Sequence, residues 1–174
     1  ISIGLAGVMI PLQIISGDLS ARWVADNQPV KLAAMEGLFE TPAGAPLTIG
    51  GIPDPATKTT NFGIEIPNGL SLIAFHDPNA VVQGLDAVPP EDQPPIVIVH
   101  LAFQVMVGIG FATLGLVIWY WFTAWRARRR GVPFEPGSWL LRALVVATPA
   151  GFIAIESGWI VTEVGRQPWI IWGF

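Results

Sequence analysis

Three apolar segments alternate with polar segments along this chain. Residues 1–16, 96–125 and 138–163 are almost continuously apolar, whereas residues 17–95 and 126–137 hold most of the charged residues. A helix needs about 20 apolar residues to span a bilayer, so the second and third segments are predicted transmembrane helices. The first is too short and is predicted to be the end of such a helix, entered within a longer chain. A half-helix lying in the membrane interface is the alternative.

Residues 17–95 have the pattern of an exposed loop region. Proline and glycine interrupt it repeatedly, as in PAGAP, GIPDP and VPPEDQPP. Within it, Pro29 followed by the helix formers KLAAME predicts a helix over residues 29–39. Apolar and polar residues alternate over 47–52 and in NFGIEIP, which predicts short strands or extended loop there.

Charge assigns these segments to two sides of the membrane. The connection 126–137 begins with four arginines among five consecutive residues. Short basic loops stay on the cytoplasmic side. Residues 17–95 hold ten acidic and three basic residues, a balance of −7. They and residues 164–174 are therefore predicted to be extracytoplasmic. Nucleic-acid binding is a poor alternative, because the arginines lie directly between two membrane spans.

Composition also indicates a membrane protein. Hydrophobic residues make up 52% of the chain and charged residues only 13%, against about 25% charged in soluble domains. The absence of cysteine excludes disulfides and thiolate metal sites. The prediction is an all-α integral membrane protein, a transmembrane helix bundle with a polar extracytoplasmic loop region.

The last apolar segment carries an unusual set of polar residues. At 100° per residue, Glu156, Trp159, Glu163 and Arg166 fall within about 80° of one another. Two acids at membrane depth are costly against lipid, so they are expected to face protein, a cofactor or water. A glutamate can ligate iron, and an arginine suits an anionic group such as a haem propionate. A Glu–Arg pair that closes the helix end is an equally good interpretation.

The preceding apolar segment contains one possible haem ligand. Met106 lies about ten residues from its outer end, roughly 15 Å deep at 1.5 Å per residue. A methionine there is usually packing, but its thioether can be an axial haem ligand. His100, at the start of the segment, has the position of an interfacial residue, and His76 in the loop gives no indication of a site.

Lys31 and Glu36 are the remaining candidates. Their five-residue spacing places them about 140° apart on a helix, so they do not form a standard surface ion pair. They could reach one ligand from two sides, the acid taking a proton from a quinol hydroxyl while the lysine orients the oxygen. Solvated loop charges are the alternative.

At these residues the chain resembles a known family. GDLSA followed by QPVKLAAMEGLFET resembles the start of the quinol loop in subunit I of cytochrome bd, the bacterial quinol:oxygen oxidoreductase, in its short-loop form. FQVMVGIGF resembles the helix with the methionine ligand of the low-spin haem b. ESGWIVTEVGRQPW resembles the helix and terminal motif beside the high-spin haems. The three motifs occur in the family's order and cover nearly all of the chain.

The resemblance implies a role for each candidate residue. Lys31 and Glu36 match residues implicated in quinol oxidation, and Met106 matches the axial ligand of haem b558. Glu163 matches a glutamate ligand at the di-haem site of b595 and d, with b595 favoured. The remaining matches are an aromatic residue among the haems (Trp159), a propionate partner (Arg166) and a buried acid that handles protons (Glu156).

The resemblance also implies an activity and partners. The expected function is quinol oxidation at the outer face and reduction of O₂ to water in the bacterial plasma membrane, contributing to proton motive force. Haems b558, b595 and d, subunit II and often a small single-helix subunit would take part. The family's histidine ligands lie in earlier helices, and His76 and His100 do not match them. Where some members have arginine two residues before the methionine ligand, this chain has Gln104, which is expected to lower that haem's potential.

Two other classes of protein remain possible from the residues. One is a quinone-binding or assembly membrane protein without haem, which would keep the loop motif. The other is a transporter subunit in which Glu156 and Glu163 bind a proton or cation. The haem content distinguishes them from an oxidase.

Overall fold

The structure is a computed structural model and describes residues 2–168. Helices α1 (Ser2–Asn27), α4 (Ile96–Arg129) and the pair α5 (Ser138–Val146) and α6 (Ala150–Val164) account for the apolar segments. Three stretches are long and apolar enough to cross a membrane: Ser2–Asn27, Pro90–Arg129 and Ser138–Val164. This confirms the predicted helical membrane protein.

Helix α1 is longer than the sequence pattern predicted. It does not stop at Gly17 and Asp18 but continues to Asn27. In the added turns Asp18 and Arg22 form a salt bridge of 2.6 Å at the i,i+4 spacing that supports a helix. The helix ends just before Pro29, because a residue that precedes proline disfavours the helical conformation.

The last apolar segment is two helices rather than the single helix predicted over 138–163. A turn separates α5 from α6, and Pro149 is the N-cap of α6. Proline has no N–H to donate and its ring obstructs the preceding turn. The N-cap of α5 is Gly137, and Ser138 is the first helical residue.

Helix α4 runs past the predicted end at residue 125 and includes part of the arginine cluster. Basic residues in a last turn interact favourably with the negative end of a helix. The Arg129 guanidinium also lies over the Trp125 ring, 4.6 Å from its centroid. Gly131, in the left-handed region, follows the helix end.

The loop region contains a short helix and a small β-ribbon. Helix α2 (Pro29–Glu36) confirms the predicted helix but ends three residues early, and α3 (Gly69–Phe75) follows the ribbon. Strand β1 (Leu47–Ile49) pairs antiparallel with β4 (Ile64–Ile66), and β2 (Ile52–Asp54) pairs antiparallel with β3 (Thr59–Asn61). The short strands predicted in this region are therefore present. Positive φ angles at Gly50 and Gly51 separate β1 from β2 and bend the ribbon.

One buried apolar cluster joins the loop to the membrane helices. It combines residues of α2 with the start of α4 and with Val161 of α6. Its buried members are Val30, Ala33, Ala34, Met35, Leu85, Ile96, Val99 and Val161. Helix α2 is therefore held where the beginning of α4 meets the end of α6, and this position determines the surroundings of Lys31 and Glu36.

Candidate functional site

Local sequence explains why Glu36 lies at a helix end. Pro29 is in the first turn of α2, where a missing N–H costs nothing. Gly37 has φ +70° and ends the helix in the left-handed conformation that glycine adopts without strain. Glu36 is thus the last residue of α2, and only 6% of it is exposed.

The carboxyl group of Glu36 is buried without a full set of partners. Among the described residues, no donor is within hydrogen-bond distance of its Oε2 atom. Burial raises the pKa of this carboxyl from 4.5 to about 7, because the charged form loses solvation. A carboxyl with such a pKa exchanges a proton near neutral pH, and its free oxygen can accept a hydrogen bond from a ligand hydroxyl.

Lys31 lies on the opposite side of α2, towards α6. Its Cγ and Cε atoms would be 3.2 and 3.3 Å from a Cβ placed on Gly165. Burial lowers the pKa of its amine, the nearby Arg166 acts in the same direction and Glu163 opposes both. The structure therefore brings Lys31 close to the end of α6, and within residues 2–168 Lys31 and Glu36 form no ion pair with each other.

Two polar residues of α4, not recognised as site residues from the sequence, attach the loop to this helix. His100, expected at the membrane interface, is completely buried within the protein at the start of α4. Its Nδ1 lies 2.9 Å from the carbonyl oxygen of Met35, and its Nε2 lies 3.1 Å from that of Gly50. Four residues later, Gln104 accepts from the Gly50 N–H at 3.0 Å and donates to the Thr48 carbonyl at 2.9 Å. The i,i+4 spacing of these two polar residues on an apolar helix was the available signal.

Met106 faces α6. Its Sδ would be 3.0 Å from a Cβ placed on Gly158, so the glycine leaves the space that the thioether occupies. Gly158 and Glu163 are five residues apart, which corresponds to about 140° around the helix. Met106 and Glu163 are therefore on different sides of α6.

The polar stripe on α6 faces away from α4. Glu156 and Trp159 are exposed, Trp159 by 64%, whereas Ser157 and Val161 on the other side are buried. Of the three expected surroundings (protein, a cofactor or water), a protein interior formed by residues 2–168 is not the one that this stripe faces.

At the end of this stripe, the Arg166 guanidinium donates to Glu163 Oε1 at 2.8 Å in a half-exposed pair. Its Nε also donates to the Thr162 carbonyl at 3.2 Å. The predicted Glu–Arg pair is therefore present, while the ligand role of Glu163 stays a prediction. Trp169, the last residue of the motif, lies outside the described residues.

The candidate ligands do not form a conventional metal site. In the part of the chain that the structure describes, no three His, Asp or Glu residues gather as a bare metal ion requires. Single axial ligands to a haem iron need no such cluster, because the porphyrin supplies the other donors. A thioether and a carboxylate on two helices are donors suited to that use.

The chain matches a known protein family along its whole length. The family described as cytochrome bd terminal oxidase subunit I matches residues 1–174. A Bacillus subtilis (strain 168) protein, provisionally named a cytochrome bd menaquinol oxidase subunit I, is 40% identical over 177 residues, covering 99% of this chain and 38% of the relative. The cytochrome bd ubiquinol oxidase subunit 1 of the same organism is 31% identical over 174 residues, covering 91% of this chain and 35% of the relative.

A solved structure is also similar. The bd oxidase from Geobacillus thermodenitrificans contains a chain that is 38% identical and superimposes with a TM-score of 0.81. The match covers 98% of this chain and 38% of the solved one. The sequence described here thus spans less than two fifths of the length of these proteins.

Proposed function

This chain belongs to the cytochrome bd terminal oxidase subunit I family, and on that premise we propose that it is part of a quinol:oxygen oxidoreductase of the bacterial plasma membrane. The overall reaction oxidises two quinols to quinones and reduces one O₂ to two waters. The described residues would supply the quinol-oxidising site and two of the iron ligands. Other parts of the subunit, subunit II and a small single-helix subunit would complete the enzyme.

The buried carboxyl of Glu36 is the observation that supports the quinol site best. Oxidation of a quinol to a quinone releases two protons and two electrons, so the site needs a group that accepts a proton. Glu36 has an unpartnered Oε2 atom and a pKa of about 7. It would accept a hydrogen bond from the quinol hydroxyl and then its proton. Because α2 lies outside the apolar part of the helices, that proton would leave on the extracytoplasmic side.

Lys31 would orient the same substrate. Its stem packs on Gly165 at the end of α6, and its ammonium group is a compact donor on a flexible chain. A hydrogen bond from Lys31 to the second quinol oxygen would hold the ring from a different side than Glu36 does. Its charge would also stabilise the negative oxygen that forms when the first proton leaves.

The methionine and glutamate donors fit the haems that the family implies. Met106 would be the axial ligand of haem b558, and Glu163 would ligate a high-spin haem, b595 by preference over d. Met106 of α4 contacts α6 on its Gly158 side, and Glu163 projects from another side of α6. This arrangement is compatible with two separate haems. When bound, haem iron supplies electron transfer and the reduction of O₂ to water.

The stripe on α6 would face the high-spin haems. Arg166, already bonded to Glu163, would hold a propionate, and Trp159 would pack among the macrocycles. Glu156, about two turns before Glu163 on α6, would receive protons drawn from the cytoplasm for the reduction of O₂. Because the quinol site and the ligands lie towards the outer side, this inward proton movement would be the contribution to proton motive force.

The first test is a reduced-minus-oxidised absorption spectrum of the purified native complex that contains this chain. A chlorin-type haem d band together with two b-type signals is expected. A complex without haem would refute the proposed oxidase. Quinol-dependent oxygen consumption by the same preparation should accompany the haem bands, and its absence in a haem-containing complex would refute the quinol substrate.

A further inference from the structure

His100 makes contacts that neither the quinol site nor the haem ligands require. It is completely buried at the start of α4 and lies between two backbone carbonyl oxygens, those of Met35 and Gly50. These residues are 65 and 50 positions away in the sequence. One side chain therefore connects α4 to the end of α2 and to the bend of the β-ribbon.

Each contact of the His100 ring ends on a carbonyl oxygen, which only accepts hydrogen bonds, so the ring nitrogen must be the donor wherever a bond forms. A neutral imidazole carries a single N–H, and the tautomer decides which nitrogen donates. The Met35 carbonyl belongs to the last turn of α2, where carbonyls lack helical partners. A ring N–H aimed at this carbonyl therefore satisfies a group that the helix leaves unpaired.

The residues on both sides of Glu36 are held by these contacts. Before it, the Met35 carbonyl is bound by His100. After it, the Gly37 carbonyl accepts from the Thr60 hydroxyl at 3.0 Å. A Cβ on Gly37 would lie 2.9 Å from Thr60 Oγ1 and 3.2 Å from His100 Nδ1. The backbone that carries Glu36 is thus fixed between α4 and β3, although its Oε2 has no partner.

Gln104 extends the attachment by one helical turn. It binds the peptide groups of Thr48 and Gly50 through both ends of its amide. His100 and Gln104 together fix the β1–β2 bend on α4, but only His100 also binds α2. Loss of Gln104 would therefore loosen only the ribbon, whereas loss of His100 would also loosen the end of α2 that carries Glu36.

We propose that His100 is a positioning residue for Glu36: through its ring contacts with the Met35 and Gly50 carbonyls it holds the end of α2 against α4 and keeps the carboxyl where it meets the quinol. This inference rests on the proposed quinol site. Without the ring nitrogens, the Met35 carbonyl loses its partner on α4 and the end of α2 loses this attachment. Glu36 then moves relative to the substrate while its own chemistry is unchanged.

The test uses the full-length subunit assembled in its complex. His100→Phe keeps a ring of similar size and removes both ring nitrogens. The value of kcat/KM for quinol is expected to fall about 10- to 100-fold, the range that results when a catalytic group is misplaced by about an ångström. The reduced-minus-oxidised haem spectrum should be unchanged. Thr113→Val on the same helix is the matched control, because that hydroxyl bonds only to α4 carbonyls, and it should keep the full rate.

A double-mutant cycle distinguishes positioning from general damage. If His100 acts through Glu36, adding His100→Phe to Glu36→Gln should lower kcat/KM by no more than about twofold further. Losses that multiply in the double variant would overturn the inference, and so would a normal kcat/KM for His100→Phe. Full activity of Glu36→Gln alone would instead refute the proposed quinol site.

A second substitution tests the same role if the His100→Phe subunit does not assemble. His100→Gln keeps an NH₂ group that can donate to the carbonyls. It should assemble and retain more quinol activity than His100→Leu, which has no donor. Equal kcat/KM in these two variants would overturn the role of the hydrogen bonds.

Discussion

Replacement of Glu36 by glutamine tests the central chemical feature of the site. The change keeps the size of the side chain and removes the ionisable group. In the wild type the buried carboxyl has its pKa raised from 4.5 to about 7. The rate of quinol oxidation is therefore expected to rise with pH up to about pH 7, as the proton-accepting carboxylate forms. In Glu36→Gln this rise should disappear and the rate should fall about 100-fold or more.

The raised pKa of Glu36 also predicts that the local stability of α2 depends on pH. The folded loop binds the proton more tightly than the unfolded loop does, because burial disfavours the carboxylate. The stabilising effect of the proton is complete below about pH 4.5 and is lost as the pH rises through about 7. The difference between 4.5 and about 7 corresponds to about 3 kcal/mol, since one unit is worth about 1.4 kcal/mol. This is an upper estimate for the cost of the buried charge.

Hydrogen exchange of the α2 amides measures the free-energy cost of burying the charged Glu36 carboxylate. In the wild type, the free energy of local opening, after correction for intrinsic exchange rates, should decrease by up to about 3 kcal/mol between pH 5 and pH 8. In Glu36→Gln it should be nearly independent of pH. Glu40→Gln is the matched control, because Glu40 is exposed and only four residues away. A wild-type opening energy that does not change with pH, or an equal effect of Glu40→Gln, would refute the reasoning.

Three further substitutions test neighbouring features. Lys31→Met keeps an apolar stem on Gly165 and removes the charge, so quinol oxidation should fall about 10- to 100-fold while the haem spectrum stays intact; an unchanged rate would contradict the orienting role. Met106→Leu conserves volume but removes the sulfur, so the low-spin haem b signal should be lost, and an unaltered spectrum would exclude the ligand assignment. Gly37→Ala places a Cβ 2.9 Å from Thr60 Oγ1 at φ +70°. It should destabilise the end of α2 by about 1–3 kcal/mol, measured by hydrogen exchange, and wild-type protection would show that the close packing is absent.

Local patterns predicted some parts of this structure and not others. The helix at Pro29–Glu36 was evident because Pro29 and the helix formers after it are local signals, although the prediction ran past the Gly37 that ends it. The break before α6 was missed because membrane helices tolerate proline, so an apolar run that contains Pro149 still resembles one helix. The continuation of α1 was readable in principle from the i,i+4 pair of Asp18 and Arg22.

Among the site residues, chemical type made Lys31, Glu36 and Met106 candidates only, and the family resemblance supplied their expected roles. Their surroundings were not predictable, because they depend on contacts between distant segments. The role of His100 in the fold illustrates this most clearly. Its partners are carbonyl oxygens, which every residue possesses, so no pattern of side chains indicates which of them the ring will meet.

The attachment of the loop to α4 has a consequence for biogenesis. Ribosomes add about 5–20 residues per second, so the 65 residues from Met35 to His100 take roughly 3 to 13 seconds to synthesise. Throughout that interval the nascent loop lacks the side chains that bind its backbone. In the proposed topology it waits outside the cytoplasm as an acidic, proline-rich segment that extracytoplasmic proteases can reach. Arrest of translation before α4 emerges would therefore leave the proposed quinol loop exposed to degradation.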